Sequence, residues 1–189
     1  LRDPIVLDGY IFGILLFAMT GSSKLFVHGS VSDTAIQNAW KFGEAWHSWE
    51  PNKYQPVEII ADEIVGEEYL GATLNDLPSR GYLSAYSGGV DSTFTVLRNS
   101  TQMLGPASTP LDGLVMVHGF DVGLDRPEDF LELTKRTRPF IESMDLPVHI
   151  VRTNSKTDSR QNWEHSFRAQ LSCVLHQFST RFAGCLIAS

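Results

Sequence analysis

The chain has 189 residues, 42% apolar and 20% charged, and its 15 basic against 22 acidic side chains leave a formal net charge of −7. These values describe a globular chain that can bury a core and exclude a disordered or collagenous one. The acidic balance argues against nucleic acid gripped mainly through its phosphates and leaves only a local basic groove open for it.

The two cysteines, Cys173 and Cys185, form no Cys-x-x-Cys pair and join no His/Cys cluster. A disulfide framework and a zinc ribbon are thereby excluded, and a cytoplasmic location is the default. Tyr10 to Met19 is the most apolar stretch. It is far shorter than the roughly 20 residues of a spanning helix and has no basic lead-in, so a buried helix is expected rather than a trimmed signal or anchor, with no membrane partner.

Asp8 to Thr20 reads as a nearly all-apolar helix ending at Gly21, and Lys24 to His28 as a short strand. Ser32 or Asp33 can cap a helix running to Trp49 before Pro51. Trp40, Trp46 and Trp49 recur on it at helical spacing, the mark of a core or interface stripe rather than an aromatic binding box. Val57 to Val65 alternates like a strand. The polar stretch Glu67 to Arg80 reads as a boundary, giving an N-terminal α/β accessory region over residues 1–78 and a second region over residues 79–189.

The second region is more regular. Strands are expected at Gly81–Tyr86, Leu114–His118, Val148–Thr153 and Gly184–Ala188. Helices are expected from Asp91 to Leu104, from Pro127 behind an Asp125 cap, and from Asn162 to Phe182; Pro139 should kink or thin the second of these. Strand and helix alternate as in an α/β parallel sheet with helices on its faces, a three-layer sandwich of Rossmann-like type. The loops after Tyr86, His118, Thr153 and Ala188 should share the carboxyl edge, where such sheets bind ligands.

The most informative segment is Ser87-Gly88-Gly89-Val90-Asp91-Ser92, placed after a strand and opening a helix. Two glycines allow a tight turn and close approach of the backbone to a ligand. The first N–H groups of the helix and its dipole favour an anion there. Asp91 beside a phosphate implies either a helix cap or a magnesium ion between the two charges. No Lys follows the glycines as a Walker A loop requires, and the third glycine of a dinucleotide fingerprint is missing. The alternative is a plain strand-to-helix turn.

This string resembles the signature loop of the PP-loop ATP pyrophosphatases, of the adenine nucleotide alpha-hydrolase-like superfamily; the resemblance covers roughly Gly81 to Ser189. It implies the PP-loop variant of the Rossmann-like fold, with ATP and Mg2+ as cofactors. It also implies cleavage of ATP to AMP and pyrophosphate, which activates a carbonyl or carboxylate for attack by a nitrogen or sulfur nucleophile. Carried over, Ser87, Asp91 and Ser92 would be catalytic. Ser87, Gly88, Gly89, Val90, Asp91 and Ser92 would hold the nucleotide phosphates, with Asp91 on the metal. His118, Gly119 and Phe120 would lie on the adenosine side. A PP-loop domain commonly has five parallel strands and four are counted here. A fragment, a trimmed chain, a completing chain or a homo-oligomer is therefore expected.

Weaker candidates share the edge: Asp121, whose alternative is an Asx turn, and Arg152, Thr153 and Asn154. His165 has no partner by sequence, and a capping or partner-facing role is expected for it. The cysteines suit small core hydrophobes, so sulfur would have to come from outside. The other class considered is a non-catalytic adenine-nucleotide-binding module. The acceptor is not legible.

Overall fold

The computed structural model describes residues 5–66, 68–69 and 81–188. Most of the expected boundary segment, residues 67–80, lies outside them. In chain order the first elements are α1 (Asp8–Ala18), β1 (Lys24–Ser32), α2 (Asp33–Trp49) and β2 (Glu58–Val65). Then follow β3 (Tyr82–Ala85), α3 (Val90–Ser100), a 3-10 turn (Gly105–Ala107), β4 (Leu111–His118) and α4 (Pro127–Ser143). The last are β5 (Val148–Arg152), α5 (Ser155–Asp158), α6 (Trp163–His176) and β6 (Gly184–Leu186).

The chain forms two compact units: Leu1–Pro78 with Ser155–Thr180, and Ser79–Asn154 with Arg181–Ser189. The helix expected from Asn162 in the second region thus packs with the first unit, against α1.

In the first unit, β1 and β2 pair in parallel, Leu25 opposite Ile59 and Val27 opposite Ala61. Ile11, Leu15 and Leu16 of α1 and Met19 at its C-cap close with Val31, Ala39 and Tyr54 into one core, and Val57, Ile59 and Ala61 pack on it as their alternation predicts. Ser32 caps α2 as expected, its side chain accepting from the Ala35 N–H. The tryptophan stripe divides: Trp46 packs on the core, whereas Trp40 and Trp49 are exposed. Spacing alone did not separate them because Trp40 lies outside the arc that α2 turns inward. Asn162 caps α6 by accepting from the His165 N–H.

In the second unit four parallel strands stand in the order β5-β4-β3-β6. The steps from β3 to β4 to β5 run in one direction. Right-handed crossovers then put α3 and α4 on one face. Val96 of α3 and Phe130 and Ile141 of α4 accordingly pack with Leu114 and Met116 of β4. The intervening Val115, and Leu83 of β3, are also buried. Pro127 opens α4, but Arg126 stands at the cap position without a side-chain bond, so Asp125 is not the cap. Pro139 lies inside α4 without ending it. Helix α3 stops at Ser100, earlier than its apolar pattern suggests; Gln102 has φ +54° and Gly105 φ +54° just beyond.

Candidate functional site

The carboxyl ends of β3, β4, β5 and β6 share one edge of the second unit because all pairings are parallel. Strand β3 lies between β4 and β6, so the strand order reverses beside it. The loop that follows a strand at such a reversal lies at the crevice where open parallel sheets take ligands. That loop is Ser87–Ser92.

Its geometry follows from its glycines. Gly88 has φ +75°, and a Cβ there would come within 2.8 Å of Thr137 Cγ2 and 3.0 Å of Leu133 Cδ1 on α4. Glycine is required both for the backbone turn and for the close approach to α4. Gly89 is the N-cap of α3 and offers no side-chain acceptor. An α-helix leaves its first N–H groups without intrahelical partners, so this uncapped terminus presents donors outward. The two serines brace the turn. Ser87 Oγ and Ser92 Oγ are 3.2 Å apart, Ser92 Oγ donates to the Gly89 carbonyl at 3.1 Å, and the Gly89 N–H donates to Ser87 Oγ at 3.4 Å. Ser92 is buried, whereas Ser87, Val90 and Asp91 are exposed, Val90 to 84%. Asp91 lies in the first turn of α3 and does not cap it.

The neighbouring strand end is built differently. His118 is buried; its Nε2 meets the Gly123 carbonyl at 2.9 Å and its ring stacks on Phe130 at 4.4 Å. Gly119 has φ +119°, and a Cβ there would overlap the Thr153 carbonyl oxygen. The Thr153 N–H donates to the His118 carbonyl at 3.0 Å, and the Gly119 N–H to the Val122 carbonyl at 2.8 Å. Phe120 is buried at 7% exposure, so its ring is packed in this structure. The parallel ladder thus brings Ser87–Ser92, His118–Phe120 and Arg152–Asn154 to one edge, with His118 and Phe120 turned to packing.

His165 belongs to the first unit. Its Nδ1 lies 2.7 Å from Tyr54 Oη and its ring stacks on Trp46 at 4.5 Å. This internal cluster has the partners that sequence spacing could not reveal, because Tyr54 is 111 residues away. Cys173 is part-buried and burial pushes its thiol up to about 11, so it is protonated at neutral pH. Cys185 is exposed on β6 rather than part of the core.

Among the described residues no group of three or more His, Cys, Asp or Glu could hold a metal ion by itself. No helix of the described residues is long and apolar enough to cross a membrane. Comparison with protein-family models, with curated proteins and with solved structures gave no match.

Proposed function

We propose that the second unit binds ATP with magnesium at Ser87–Ser92 and cleaves it to AMP and pyrophosphate to activate an acceptor. The reading takes the unit as a Rossmann-like sandwich of the PP-loop type. The observation that carries it is the uncapped N-terminus of α3, led by a left-handed Gly88, at the strand-order reversal. Such a terminus is an anion site by its free N–H groups and dipole.

The residues fit a magnesium ion that arrives with the nucleotide. Asp91 is an exposed carboxylate with no cationic side chain in its loop, and magnesium commonly takes one or two protein carboxylates and completes its shell with phosphate oxygens and water. When bound, the ion neutralises charge on the departing pyrophosphate.

The chain's own part is positioning, which suffices for transfer at phosphorus. The Gly88–Gly89 backbone and the first N–H groups of α3 hold the phosphates. Ser87 and Ser92 keep the turn in shape, and the exposed Ser87 offers its hydroxyl to them. An acceptor carbonyl or carboxylate oxygen attacks the α-phosphorus, and the bond to the αβ-bridging oxygen breaks with its electron pair leaving on pyrophosphate. A nitrogen or sulfur nucleophile then displaces AMP from the activated carbon. The adenosine would lie beside the loop that follows β4, over the packed His118, Gly119 and Phe120.

Incubation with α-labelled ATP, magnesium and a panel of carboxylate and amide acceptors tests this. AMP and pyrophosphate should form in equal amounts, and Asp91→Ala should abolish their formation without unfolding the chain. ATP that binds but stays intact with every acceptor would instead mark a non-catalytic nucleotide-binding module.

A further inference from the structure

The first unit holds a cavity of about 220 Å3 lined by Asp8, Phe12, Ser32, Asn38, Ser172 and His176, among others. Asp8 is only 7% exposed. Its Oδ1 accepts from the Ser32 N–H at 2.7 Å and its Oδ2 from the Ser32 hydroxyl at 2.6 Å. Both bonds hold its carboxyl group in place at the start of α1. Each carboxylate oxygen keeps a further lone pair.

Among the described residues, no Lys or Arg lines the cavity. The imidazole of His176 supplies no compensating charge at neutral pH, because burial pushes its pKa down and the Asp8 carboxylate opposes this only in part. The buried Asp8 carboxyl group faces a space walled by hydroxyl, amide and imidazole groups. The Phe12 ring, stacked with His176 at 6.1 Å, adds an aromatic face, and such faces attract cations. Helices α1 and α6 are fixed where they meet beside it, since a Cβ on Gly9 would come within 2.5 Å of His176 Cβ. The volume equals about seven water molecules at their share of liquid volume.

We propose that this cavity binds a small primary ammonium ion. Its N–H donors meet Asp8 and the neighbouring hydroxyl and amide oxygens, and its short alkyl part lies against Phe12. The Asp8–Ser32 pair also ties α1 to the cap of α2, but that role needs no cavity.

The test is a titration of the 15N-labelled full chain with ethylammonium chloride, with potassium chloride and 1-propanol as controls. Ethylammonium should give saturable amide shifts at residues 8–12, 32–38 and 172–176, with affinity at least tenfold above either control. Ser172→Leu fills the cavity and leaves Asp8 in place; it should abolish the shifts, and Asp8→Asn should weaken binding at least tenfold. If Asp8→Asn does not fold, Ser172→Leu decides. Equal responses to 1-propanol or potassium, non-saturable shifts, or unchanged binding by Ser172→Leu would overturn the proposal.

Discussion

The two units place their chemistry in opposite ways. In the second, the candidate site is backbone: two glycines and a helix N-terminus at the end of β3, contiguous over six residues. In the first, polar side chains from three distant segments meet, with Asp8 beside Ser32 and across from Ser172 and His176. A backbone site needs residues that permit a conformation, and those are neighbours in sequence. A side-chain site needs only residues that the fold brings together, and their spacing carries no message. Substitutions can separate the two kinds of site by which property fails.

The largest effect is expected from Gly119→Ala. A methyl group there would overlap the Thr153 carbonyl at a backbone angle that L-residues avoid. Equilibrium unfolding should show a loss of at least about 3 kcal/mol, since main chain cannot yield as a side chain does. Amide exchange should accelerate in β4 and β5. Wild-type stability would mean the strand ends do not approach as described.

Gly88→Ala should act on function rather than folding. With φ +75° and Thr137 Cγ2 2.8 Å from the added carbon, the turn must shift. ATP cleavage should fall by about 10²-fold, the cost of a misplacement near 1 Å. Adding Thr137→Ser removes the clashing methyl and should restore part of the rate. No restoration would place the defect in the backbone angle or the Leu133 contact.

In the first unit, Ser32→Ala should cost about 2 kcal/mol in denaturant unfolding. It deletes the cap of α2 and strips Asp8 of a hydroxyl donor. An effect under a few tenths would show that water replaces the hydroxyl.

The smallest expected effect is a pH slope. Burial lowers the pKa of His176, and burial with Arg181 lowers that of His149. Below an unfolded value of about 6.5 the unfolded chain binds more protons than the folded one. Stability should therefore decline as pH falls through about 6.5, until the folded groups protonate as well. His176→Gln should flatten the decline in the unfolding midpoint between pH 7.5 and 5.5. An unchanged slope would remove His176 as a contributor.

Much of the fold was legible because its signals are local. The Ser32 cap, the alternation of Val57, Ile59 and Ala61, and Pro127 at the start of α4 all act within a few residues. The glycine turn was legible for the same reason. What spacing could not give was non-local. Trp40 and Trp46 both belong to the apolar stripe read on α2, but they stand about 120° apart around the helix and only Trp46 faces the core. The Tyr54–His165 contact and the Asp8 cavity join segments more than 100 residues apart. The helix after Asn162 reads as the next crossover of the parallel sheet, yet it belongs to the first unit, where it packs on α1. His118 and Phe120 were placed by their strand end, which is right for the loop, while their rings are packed inward.

Binding of nucleotide phosphate on the Ser87–Ser92 turn is tested most directly with α,β-methylene ATP, which resists cleavage between those phosphates. Added with magnesium to 15N-labelled protein, it should shift the amides of Gly88 to Thr93 saturably, with at least tenfold weaker binding when magnesium is omitted or Asp91 is alanine. Unmoved amides across Gly88–Thr93, with or without magnesium, would contradict the account.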